Sequence, residues 1–354
     1  MAYRGARAYT GALSTAQNSR LRREPAMSIS RYCVELLEAA SDYHVRYGDR
    51  LANHLPMVLI ALDKMGASRE QLQDAFDRSA LHLERPQLEP AEQLESGESI
   101  ADLRNNEARF PSALVYYQNQ LRQHGMTECL RRELPPLLPS IGTAAFHGLI
   151  RTAYGIDAGH LQEVATGLAY WNMEYRELPA SEERLSVAAA EIPAIVAERY
   201  PLISLAPGNI SDHMAAVSRQ EGWQETAIQP ELLGLQDIAE VALAAYRGTG
   251  DFTLLHGITG CHALRLVLPY CPEPEVALRY FWRALVIAYL STGPKDIGEP
   301  DQPQSNRPEW DTLLKQACRS DDDHVIKLCY SCWREAEHYG NDDYRAAAEM
   351  TVLN

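Results

Sequence analysis

The sequence predicts an all-α fold, and three observations predict it. Apolar residues recur at three- and four-residue intervals along most of the 354 residues. No stretch alternates as a sustained strand would, and no strand–helix–strand rhythm appears. Proline, glycine and acidic clusters fall between the periodic segments, where they end helices. The simplest architecture is one large multi-helical domain over residues 27–354, with its helices in two layers.

The elements follow in order. Tyr32, Leu36, Leu37 and Ala40 mark a first helix. Leu51, Leu55, Val58, Leu59 and Leu62 mark a second, ending near Gly66, with Pro56 where a first turn tolerates it. Leu72, Phe76 and Leu81 suggest a third, and the polar, proline-bearing stretch 85–99 reads as a surface loop. Helices are expected over 114–121 and 130–134, until Pro135, Pro136 and Pro139 break the pattern. Further helices are expected over 143–154, 158–173, 185–197, 213–220, 231–246, 252–267 and 274–291, with a turn-rich connector at 201–212. Residues 292–308 are rich in Pro, Gly and Asp and read as a long surface loop or lid. Helices over 310–318, 322–339 and 342–350 close the chain.

Residues 1–26 carry Arg4, Arg7, Arg20, Arg22 and Arg23 against one acid, Glu24. They lack the apolar core of a secretory signal and read as a disordered tail, or as sequence upstream of a natural start at Met27. The longest apolar stretch, 284–290, is far too short for a membrane span. The 33 Lys and Arg against 48 Asp and Glu make a net charge of −15. That acidity argues against nucleic acid and anionic lipid as partners. Seven irregularly spaced cysteines argue for a reducing, cytoplasmic setting, and the single pair Cys329–Cys332 reads as two cysteines on one helix.

Several chemistries are missing. No GxGxxG follows a strand, so neither a flavin nor NADPH has a visible binding motif. No phosphate loop, GxSxG elbow or HExxH occurs. What stands out instead is four histidines in four distinctive segments: NHLPM (53–57), FHGLIR (146–151), LHGITG (255–260) and DDDHVIKL (321–328). His54, His147, His256 and His324 lie in or beside apolar helical runs, where a buried ring needs a reason. Together they could build a transition-metal site, since imidazole suits iron, zinc, copper or nickel.

Each has a blander reading. His54 is also a helix-start residue half exposed to water. His147 shares a helical face with Arg151 and Tyr154, which suits an anionic phenolic or carboxylated substrate. Equally, Arg151 pairs with an acid elsewhere. His262 points away from His256 on an ideal helix and reads as partly buried. Gly257 and Gly260 let a neighbour or ligand approach closely. His160 and Glu163 are a pair that orients a ligand from behind or a surface pair. Lys327 sits on the face of His324, either paired with Asp323 or buried and short of a proton. Tyr116, Tyr117, Trp171 and Trp282 line a flat-ring pocket or simply fill the core.

The same blocks carry a resemblance. NHLPMVLIAL followed by MGA, then AAFHGLIRTAYG, LLHGITGCHALR and WDTLLKQACRSDDDHVIKL, resemble the questin oxidase-like family, in that order, from about Arg31 onward. The resemblance implies an oxygenase that cleaves or expands a quinone-type ring using O2. It also implies a mononuclear non-haem iron, Fe(II), buried in the all-α domain and bound by His54, His147, His256 and His324. Lys327, carbamylated to N6-carboxylysine, would be a fifth, oxygen ligand. Arg151 and Tyr154 would then position the substrate, and a need for NADPH stays open. Two other readings stand beside this one: a zinc-dependent hydrolase using the same ligands, and a non-catalytic helical scaffold.

Overall fold

The computed structural model describes residues 28–85, 91, 94, 96–200, 205–293 and 307–353. The expected tail at 1–26 and most of the expected lid (294–306) lie outside them, as does part of the 85–99 loop. Helix dominates the described residues. The α-helices are α1 (Arg31–Ala40), α2 (Leu55–Lys64), α3 (Arg69–Ala80), α4 (Phe110–Glu133), α5 (His147–Ala158), α6 (Leu161–Met173) and α7 (Ile192–Arg199). They continue with α8 (Ile210–Val217), α9 (Leu235–Thr249), α10 (Phe252–Val267), α11 (Pro274–Ser291), α12 (Trp310–Ala317), α13 (Asp323–Tyr339) and α14 (Asp343–Val352). Among the described residues, strand is confined to two pairs. An antiparallel pair joins β1 (Arg46–Tyr47) to β2 (Leu51–Ala52), and a parallel pair joins β3 (Arg184–Leu185) to β4 (Gln229–Pro230).

Helices α10 and α11 keep the expected bounds, and three departures have local causes. Leu51 belongs to β2, not to a helix, because Asn53 Oδ1 accepts from Leu55 N at 3.0 Å and Pro56 sits in the first turn, so α2 starts later. The two helices expected around 114–134 are one element broken at Gly125, whose φ of 71° suits glycine. Helix α5 starts at His147 and not at 143, because Ala144, Ala145 and Phe146 all hold left-handed φ of 48°, 51° and 66°.

Helix α10 is the hub: it packs on α5, α9, α11 and α13. Its residues are buried almost all round, as expected of a central helix. Helices α5 and α6 form an antiparallel hairpin in very close contact. A Cβ on Gly155 would meet Val164 N at 2.6 Å, and one on Gly167 would meet Thr152 N at 2.5 Å. This contact fixes α5, and with it His147, against the core. All seven cysteines are buried and free, including Cys329 and Cys332 on α13. No helix among the described residues is long and apolar enough to cross a membrane.

Candidate metal centre

Four helix beginnings meet at one place. His54 is the N-cap of α2, His147 opens α5, His256 lies one turn into α10, and His324 lies in the first turn of α13. The rings touch in a cycle. Centroids are 4.8 Å apart for His54 and His147, 5.2 Å for His147 and His256, 5.4 Å for His256 and His324, and 4.7 Å for His324 and His54. Residues remote in the sequence thus form one cluster. Lys327, one turn beyond His324 on α13, is buried too.

The Nδ1 side of each ring is engaged. His147 Nδ1 lies 2.5 Å from Ala144 O and His256 Nδ1 lies 3.0 Å from Phe252 O. A carbonyl only accepts, so both rings carry their proton on Nδ1 and offer a lone pair on Nε2. His324 Nδ1 is 3.2 Å from Asp322 Oδ1, and His54 Nδ1 is 3.5 Å from Asp323 Oδ2. Backbone or carboxylate support behind each imidazole is the usual second shell of a metal-binding histidine. Asp322 also caps α13, accepting from His324 N at 2.8 Å.

Burial disfavours the charged form of every group in the cluster. Burial first, and then the neighbouring His and Lys groups, hold His54 and His147 well below the ordinary histidine value and lower His256 to about 3. Burial also lowers His324. The positive ends of the helix dipoles act in the same direction. Burial brings Lys327 down to about 7, although Asp323 and Asp322 pull it up. Hydrogen bonds from His324 hold Asp322 near 2.

These residues fit a metal in chemistry more than in finished geometry. The Nε2 atoms of His54 and His147 are 2.9 Å apart, close to the spacing of two neighbouring ligands each about 2.1 Å from one ion. Two inward lone pairs at that distance need a proton or a cation between them. Yet no group of three or more His, Cys, Asp or Glu among the described residues is arranged as a ready-made cage. The rings are gathered, and no preformed ligand sphere is present.

Several expected roles are relocated. Arg151 is paired with Glu163. Its Nε donates to Glu163 Oε2 at 2.9 Å and its Nη2 to Glu163 Oε1 at 3.2 Å, with the two side chains 2% and 1% exposed. This is the alternative in which an acid elsewhere claims the arginine, so Glu163 supports neither a ligand nor His160. His160 instead caps α6, its Nδ1 accepting from Glu163 N at 3.2 Å. The Tyr154 ring lies edge-on to His262 at 6.2 Å and tilted against Tyr330 at 5.8 Å. Tyr117, Trp171 and Trp282 are core residues, and the Tyr116 hydroxyl donates to Glu133. Gly257 and Gly260 face Leu285 and Phe281 of α11, and no ligand space opens there.

Phe252 was missed by sequence reasoning. It opens α10, is 54% exposed, and lies 4.6 Å from the His324 ring and 5.3 Å from His256. An exposed aromatic in the first turn before LHGITG was the available signal. His262 was also underrated: it is fully buried, with Nδ1 2.6 Å from Glu335 Oε1.

No curated protein matches the chain significantly. A family model described as questin oxidase-like matches residues 51–332, a span that includes all five cluster residues. That span is well over half of the 354 residues, so the chain belongs to the questin oxidase-like family, oxidoreductases that act on small molecules of polyketide type.

Proposed function

We propose that the protein is an iron-dependent oxygenase acting on an aromatic or quinone-type substrate, as a mono- or dioxygenase of ring-cleaving or Baeyer–Villiger-like type. Fe(II) would be held by His54, His147, His256 and His324, with Lys327 as a fifth ligand. The observation that carries this reading is the set of four neutral imidazoles, backed at Nδ1, with the Nε2 atoms of His54 and His147 2.9 Å apart in a buried core. Bound iron would supply O2 activation and withdraw electron density from the substrate.

The remaining work falls to the chain's own residues. A Lys327 amine held near pKa 7 is partly neutral at physiological pH. Its lone pair can add to CO2, forming an N–C bond and releasing one proton to water, which leaves an anionic carbamate as an oxygen donor. The apolar side chains packed around the cluster keep bulk solvent from it. Phe252, on the exposed side, offers a flat apolar face to a planar ring beside His324.

A zinc hydrolase built on the same ligands would need a free acid poised as general base. The nearby carboxylates, Asp322 and Asp323, are turned to His324 and His54, which favours the redox reading. A requirement for NADPH is settled by assaying O2 uptake with and without it. The deciding experiment is metal analysis by inductively coupled plasma mass spectrometry after anaerobic loading with ferrous iron. About one iron per chain is expected in the wild type, lost in His256→Ala and Lys327→Ala with helicity retained. Stoichiometric zinc would favour the hydrolase. No metal at all, with the alanine variants merely unstable, would leave the scaffold.

A further inference from the structure

Helix α13 carries a polar stripe that does not end at the cluster. Lys327, Ser331, Glu335 and Tyr339 recur every four residues, about 6 Å apart along one face. Lys327, Ser331 and Glu335 are buried, while Tyr339, near the helix end, is half-buried. The stripe therefore runs from the histidine cluster through the core towards the surface. His262 and Arg265 of α10 meet it at Glu335, with His262 Nδ1 at 2.6 Å and Arg265 Nε at 2.9 Å from Glu335 Oε1. Burial disfavours the Glu335 charge, but Arg265 and His262 more than offset this and hold it ionised, near pKa 2.

Other polar atoms along the stripe have no protein partner. Glu335 Oε2, His262 Nε2 and the Tyr339 hydroxyl are buried without a hydrogen bond. Ser331 and the Tyr154 hydroxyl face each other across the helix contact, with no further partner for either. A dry orphan of this kind is costly, and several in one neighbourhood would be a severe burden. A buried water makes about three hydrogen bonds and removes the cost.

We propose that ordered waters thread between α5, α10 and α13 along Tyr339, Glu335, His262, Ser331 and Tyr154, forming a proton path from the surface to Lys327 and the histidine cluster. A proton entering the chain of waters at one end displaces one at the other, so none is created or lost. A substrate lying over Phe252 would cover the cluster's exposed side, and chemistry on O2 still requires proton exchange with solvent. The path supplies it from behind. Its use in turnover rests on the oxygenase reading; its hydration does not.

The test uses metal-free protein labelled with 15N-histidine, with exchange into D2O followed by NMR. The ring N–H of His262 is expected to exchange at least roughly 10-fold faster than the backbone amides of 329–332, which open only with the helix. Tyr339→Phe should slow it at least about 10-fold towards the amide rate. A high-resolution crystal structure should show ordered water on Ser331 Oγ and Glu335 Oε2. Exchange of His262 in step with the amides, together with a dry stripe, would overturn the path. Fast exchange in a protein that takes up no O2 with any quinone-type substrate removes the oxygenase reading and leaves the path standing. Oxygen uptake with His262 locked to the amides does the reverse.

Discussion

The rings of His54 and His147 are stacked at 4.8 Å and 14°, with their Nε2 atoms 2.9 Å apart. His147 already gives its proton to Ala144 O, so its Nε2 can only accept. Unless His54 supplies a proton, two lone pairs confront each other in a buried site. Helix α5 is locked by its glycine contacts with α6, so the rings cannot readily separate. A bound cation relieves the repulsion. Adding ferrous iron anaerobically should therefore raise Tm, and a chelator should reverse the gain. An unchanged Tm at saturating iron would contradict this.

Lys327 makes the metal-free protein pH-sensitive. Its folded pKa is about 7 against an ordinary 10.5, lowered by burial. Between those values the unfolded chain binds the extra proton, so stability rises with pH from about 7 to 10.5. At and below pH 7 the full penalty applies. Lys327→Met removes it and should stabilise the metal-free protein by about 1–4 kcal/mol near pH 7. The gain should vanish near pH 10.5. Urea unfolding at the two pH values measures this, and an equal gain at both would mean that charge burial is not the cause.

Arg151 and Glu163 form a buried ion pair. Removing either partner leaves a buried charge, so Arg151→Ala should cost about 3–5 kcal/mol. Arg151→Met with Glu163→Leu should recover most of that loss. Iron content should not change in the double variant. Loss of iron there would return Arg151 to the site.

The left-handed run before His147 stores strain. Each non-glycine residue there costs about 1–2 kcal/mol. Ala144→Gly keeps the carbonyl that holds His147 and should raise stability by about 1 kcal/mol, read as a higher urea midpoint. A drop in midpoint would mean that the turn is not strained.

Phe252 is the exposed aromatic over the cluster. Phe252→Ala should raise KM for a planar quinone roughly 3- to 10-fold, the worth of one ring contact, with iron content unchanged. Phe252→Tyr should stay near wild type. Unaltered KM in the alanine variant would place substrate elsewhere.

The sequence by itself determined the class of fold and the parts of the centre. Periodicity sets the helices because burial rewards an apolar stripe at helical spacing, and α10 and α11 keep their expected bounds. Helix starts written locally were legible too: Asp322 caps α13 and Asn53 holds the start of α2. The histidines stood out because polar rings in apolar runs are costly. Only the tertiary structure decided what those side chains meet. Arg151, His147 and Tyr154 share one helical face, yet α6 brings Glu163 to Arg151, while α10 and α13 take Tyr154. Spacing along a helix says which residues point together; it cannot say which helix arrives opposite. The same holds for Glu335, which became the partner of His262 only when α10 packed on α13.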